Sequence, residues 1–134
     1  DPAALAAAAN CPWFSTDVLK KLLPGKDFSQ QTFGSNSCMA QAGGSVVLVS
    51  IIETNNPDQV MENSAGGCKR EAVAEPGHAA EMLWPCEGGR PHAKLRYLRG
   101  TRLMEYSLAP GREPTAAELK LLIELAKKAP ARAS

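Results

Sequence analysis

Aromatic side chains are scarce in this 134-residue chain: two Trp, two Tyr and three Phe make up 5% of it. A core with so few rings has to be aliphatic and modest, and such a core gains from covalent cross-links. Histidine is scarcer still, with His78 and His92 the whole supply. No apolar run approaches the roughly 20 residues of a membrane-spanning helix. An excess of charge is also missing, since 15 Lys and Arg stand against 14 Asp and Glu. That balance removes the electrostatic footprint expected of a protein that binds nucleic acid or an anionic membrane.

Several chemical signatures are absent too. There is no GxSxG elbow to present a serine nucleophile. Gly43-Gly44 and Gly66-Gly67 lack the frame of a phosphate-binding loop. No CxxC pair, CxxCH haem site or zinc-finger spacing occurs. Asn-x-Ser/Thr sequons are missing, which favours a bacterial exported protein over a eukaryotic secreted one.

Four cysteines are present: Cys11, Cys38, Cys68 and Cys86. An even number without metal spacing points to two disulfides, hence to an oxidising compartment outside the cytoplasm. The chain opens Asp1-Pro2 without a basic leader or apolar run. It therefore reads as a mature or trimmed form, with room for a lipid anchor upstream.

Along the chain, residues 1–10 read as a lead-in or tether. Ser15 caps a helix whose face is Val18, Leu19, Leu22 and Leu23, stopped by Pro24-Gly25. Residues 31–42 read as one strand with a Gly-Ser-Asn bend. "SVVLVSIIE" (45–53) is the most β-branched run, and its near-continuous apolar character predicts a central strand covered on both faces. Asn56 and Pro57 start a second helix with Val60, Met61 and Ala65 inward. Glu75-Pro76-Gly77-His78 is turn chemistry, followed by a strand over 79–84. Ala93, Leu95 and Tyr97, then Met104, Tyr106 and Leu108, alternate with polar residues around a turn at Arg99-Gly100-Thr101 and predict a hairpin. Thr115 and Glu118 form a capping box for a last helix, with Leu119, Leu122, Ile123 and Ala126 inward. Residues 131–134 read as a frayed tail.

The expected architecture is thus a single α+β domain over 11–130, in the order α-β-β-α-β-β-β-α. It has an antiparallel sheet of about five strands with helices packed against one face.

Several of these stretches resemble a known family. "NCPWFSTDVLKKLLPG", Cys38 on the first strand, the turn "EPGHAAEM" and the hairpin "LRYLRGTRLMEYSL" are similar to the punctuation of small exported bacterial lipoprotein-type domains of unknown function, whose fold is PsbP-like. The resemblance implies that Cys11 pairs with Cys38 and, with it, Cys68 with Cys86. It brings no catalytic residue.

Three candidate sites follow from the residues. A basic group, Arg90, His92, Lys94, Arg96, Arg99 and Arg102, would suit an anionic ligand or an acidic partner surface; the plainer reading is a solvated sheet face guarded against edge pairing. His78, Met82, Cys86 and His92 lie within 15 residues, and imidazole with soft sulfur would suit copper. The plainer reading keeps Met82 in the core and Cys86 in a bridge. Trp13 and Trp84 each neighbour a cysteine and read as packing on it. The function expected is a non-catalytic, exported interaction or accessory module of the bacterial envelope, periplasmic, outer-envelope or secreted. Its partner would be another envelope or secreted protein, with no nucleic acid and no cofactor. The alternatives are a periplasmic carrier of a small ligand or copper-type metal, and an enzyme of unrecognised type.

Overall fold

The computed structural model describes residues 11–23, 28–34, 36–63 and 67–129. The lead-in, the Pro24-Gly25 stop, Ala65 and the C-terminal tail lie outside the described residues. Ten elements follow in order among the described residues: α1 (Thr16–Leu22), β1 (Ser29–Phe33), β2 (Ser37–Ala42), β3 (Ser45–Glu53), α2 (Pro57–Asn63), β4 (Cys68–Ala72), β5 (His78–Cys86), β6 (Ala93–Arg99), β7 (Arg102–Ala109) and α3 (Ala116–Lys127). The strands form one antiparallel sheet in the order β1-β2-β3-β7-β6-β5-β4. Two meanders, one of three strands and one of four, are joined where β3 pairs with β7.

The molecule is therefore mostly β, which corrects the expected five-stranded α-β-β-α-β-β-β-α arrangement. The two unforeseen strands, β1 and β4, are the two edges of the sheet. Four of the five residues in each are exposed, so neither carries the apolar alternation by which a half-buried strand is read. The stretch 31–42 is not one bent strand. It is most of a hairpin, folding back at Gly34, whose φ of +66° a glycine adopts without strain.

One sheet face carries the main core. Cys38, Ala40, Val47, Val49, Tyr106, Leu108, Leu95 and Tyr97 lie on it, fully buried. Val18, Leu19 and Leu22 of α1 and Leu122, Leu125 and Ala126 of α3 cover it. The buried stripe of α3 is turned from the expected one, because Leu119 and Ile123 lie only partly buried at its margin. Tyr106 donates its hydroxyl to the Trp13 carbonyl at 2.9 Å, fastening the segment before α1 to β7. Of the predicted caps, those of the first and last helices are present: Ser15 Oγ accepts from Val18 N, and Thr115 and Glu118 close a reciprocal box.

Helix α2 departs from the expectation that all helices share one face. Its Met61 packs with Leu98 and Leu103, which are register partners on the opposite side of the sheet from Tyr97 and Met104. Gly77 explains the Glu-Pro-Gly-His turn: a Cβ there would fall 2.6 Å from Tyr97 Cδ2 and 2.9 Å from the Leu98 carbonyl oxygen. The chain can cross the tyrosine ring only without a side chain. β5 then begins with a register shift between His78 and Glu81, where Ala79 takes a positive φ of 54°.

Candidate interaction surface

Strand β3 is hydrogen-bonded on both sides, by β2 and β7, yet among the described residues only one of its faces is covered. Ser45, Val47, Val49 and Ile51 are buried, whereas Val46 and Ser50 are half-buried and Leu48 and Ile52 are 40% and 41% exposed. This corrects the expectation of a strand sealed on both faces. A β-branched run secures an extended, doubly paired strand, but it does not by itself place a layer over each side. Helix α2 lies against the opposite face on the β4–β7 side of the sheet.

The register extends the open strip. Leu48 lies opposite Met39, which lies opposite Gln31; Ser50 lies opposite Ser37, which lies opposite Phe33. Phe33 is 49% exposed, and with Leu48 and Ile52 it completes the large apolar side chains found exposed among the described residues. The Ser37 and Ser50 hydroxyls are 3.3 Å apart and satisfy each other. Every β1–β3 residue on this side, from Ser29 to Ile52, is uncharged. The strip is thus uncharged, with apolar side chains set among Ser and Gln, and is bordered by Glu105 and Lys94, which pair at 3.7 Å on β7 and β6. Such a surface favours contact with another low-charge surface and disfavours a charged ligand.

The candidate basic group does not assemble into one surface. Strand alternation puts Lys94 and Arg96 on one side of the sheet and Arg99 and Arg102 on the other. Arg96 is completely buried, donating to Glu81 at 2.7 Å and to the Met61 carbonyl. Arg102 is held by Glu53, and the Arg99 guanidinium lies 5.6 Å from the centroid of the Tyr97 ring. Arg90 is exposed in the β5–β6 loop. Glu81 also accepts from Arg70, at 2.8 and 3.0 Å, and Arg70 reaches Glu62 of α2 at 3.7 Å. The hydrogen bonds Arg70 donates to Glu81, set against partial desolvation, raise the Arg70 pKa above its ordinary value. This network fastens α2 to β4, β5 and β6. Nothing local in the sequence marks Arg96 as buried, since the helix that covers it is distant in the chain.

Of the candidate copper set, Cys86 and His92 come together and Met82 does not join them. Met82 is buried in the main core, and the side chain of His78 lies outside what is described. Cys86 is bonded to Cys68, and Cys11 to Cys38, the pairing implied by the resemblance; no described cysteine is free. Cys68 heads β4 and Cys86 ends β5, so this bridge joins two neighbouring strands. His92 is half-buried beside it, Nδ1 2.9 Å from the Arg90 carbonyl oxygen. Trp13 is buried in the core containing Cys11, and Trp84 packs at the margin of the same core. No helix among the described residues is long and apolar enough to cross a membrane. Set beside protein-family models, curated proteins and solved structures, the chain matches none.

Proposed function

We propose that this protein is a non-catalytic, exported interaction module of the bacterial envelope, and that the open face of β1–β3 is where another envelope or secreted protein docks. The observation that carries the reading is the asymmetry of the sheet. One face is sealed by α1, α3 and the Cys11–Cys38 bridge, while the other leaves Phe33, Leu48 and Ile52 in solvent on a strip without charge. Leaving large apolar side chains exposed gains nothing for the free protein, and several of them on one uncharged sheet face suit a contact surface. Two disulfides are compatible with export.

Site-specific photo-crosslinking in intact cells tests the proposal. A crosslinker at Leu48 is expected to give a discrete adduct with another exported protein, lost in the Phe33→Ser/Ile52→Lys double variant. The same probe at Lys120, exposed on α3, is expected to give none. Adducts of equal yield at both positions, or none at Leu48, would overturn the assignment. So would an adduct at Leu48 made only of two copies of this chain.

A further inference from the structure

The second disulfide lies in surroundings quite different from the first. Cys11 and Cys38 are 6% and 0% exposed, whereas Cys68 and Cys86 are both half-buried at the margin of the sheet. They face each other directly in the register of β4 and β5, with Cα atoms 3.8 Å apart. A groove lined by Gly67, Lys69, Pro85 and Glu87 runs along the pair. The loop after β5 then returns His92, and one ligand atom from each of Cys68, Cys86 and His92 lies within 4.8 Å of the other two.

We propose that Cys68, Cys86 and His92 form a redox-gated metal site: closed as a disulfide in the state described, and open to a thiophilic cation such as Zn2+ once a dithiol has reduced it. The gate is ordinary thiol–disulfide exchange. A dithiol attacks one sulfur as its thiolate, forming a mixed disulfide and releasing the other cysteine. Its second thiol then displaces the remaining sulfur and leaves as the oxidised disulfide, so that two electrons and two protons pass to Cys68 and Cys86. Accessibility decides which bridge is attacked, and the groove gives that access to this one alone.

Three features hold the opened site together. The Glu87 N–H donates to the Gly67 carbonyl at 2.8 Å on the outer side of the bridge, and Arg70 pairs with Leu83 on its inner side. The two thiols therefore stay opposite each other when the bond between them is gone. A carbonyl only accepts, so the 2.9 Å contact to Arg90 makes Nδ1 the protonated nitrogen of His92 and leaves the lone pair on Nε2. Two thiolates and one neutral imidazole are a ligand set for Zn2+ that leaves a fourth position to water or a further ligand. Cation binding releases the two thiol protons.

The test uses the full chain. Mild dithiothreitol followed by differential alkylation is expected to label Cys68 and Cys86 and to leave Cys11–Cys38 intact. After removal of the reductant without air, native mass spectrometry is expected to show one Zn2+ per reduced chain and none on the oxidised chain. Co2+ is expected to give thiolate-to-cobalt charge-transfer absorption. The His92→Ala variant, its fold checked by circular dichroism, is expected to bind Zn2+ at least about tenfold more weakly. The Cys68→Ser/Cys86→Ser double variant is expected to stay folded and bind none. Zn2+ uptake by the oxidised chain, no uptake by the reduced one, unchanged affinity in His92→Ala, prior opening of Cys11–Cys38, or unfolding on reduction would each overturn the proposal.

Discussion

Glu81 sits between two guanidiniums, and its removal is felt differently by each. Arg70 is partly exposed and returns to water, but Arg96 is fully buried, with Nε and Nη1 already lacking a hydrogen-bond partner. An ion left alone in the interior is far costlier than the pair. Glu81→Ala is therefore expected to lose about 3–5 kcal/mol of stability. Arg96→Met, which leaves Glu81 on Arg70, is expected to lose less. The Glu81→Leu/Arg96→Met double variant is expected to recover most of the loss, because no unpaired charge remains. Urea unfolding of the three variants measures this, and a Glu81→Ala no worse than Arg96→Met would refute it. Residue-scale reading of the sequence failed here for a physical reason. Alternation along β6 correctly puts Arg96 opposite the core, but the cover comes from α2, whose contact with β6 no local pattern encodes.

Helix α3 shows the opposite case, an element announced by its own sequence. Thr115 Oγ1 accepts from Glu118 N at 3.1 Å, Glu118 Oε1 accepts from Thr115 N at 2.9 Å, and Arg112 grips the same carboxylate at 2.8 and 3.0 Å. The hydrogen bonds from Arg112, with help from Thr115 and against the opposing effect of burial, hold the Glu118 carboxyl below its ordinary pKa. A carboxyl with a lowered folded pKa adds stability that is complete above its unfolded value and is lost as the pH falls through the folded one. The stability advantage over Glu118→Gln is thus expected to be full at neutral pH and to shrink below the ordinary glutamate value of about 4.3. Thermal unfolding of both proteins across that range checks it, and a gap independent of pH would exclude the charged box as its source. Elements with such local devices were legible: α1 through Ser15, α2 through Pro57, α3 through its box, and the β6–β7 hairpin through alternation around Gly100. β1 and β4 were not, since "SQQTF" and "CKREA" have a strand neighbour on one side only among the described residues and bury almost nothing. Of the open face, the sequence revealed the apolar residues of β3 but not that half of them lack cover, which is a property of where α2 runs.

Across the whole molecule, stability should follow position in the sheet. β3, β7 and β6 are paired on both sides and contribute the fully buried Val47, Val49, Tyr106, Leu108, Leu95 and Tyr97. Native-state hydrogen exchange is expected to be slowest in these three strands and fastest in β1 and β4, which have one strand neighbour each among the described residues and mostly wet side chains. Equal protection of edge and centre would mean that the sheet opens only as one unit. The junction of the two meanders carries a further implication for biosynthesis. Made from its N-terminus, the chain completes β3 well before β7, the strand that must pair with it, and everything from α2 to β6 intervenes. Until Arg102–Ala109 has been synthesised and delivered, Val47, Val49 and Ile51 lie on a strand with one unsatisfied edge and an incomplete covering layer. The nascent N-terminal half is therefore the part most in need of a chaperone during translation.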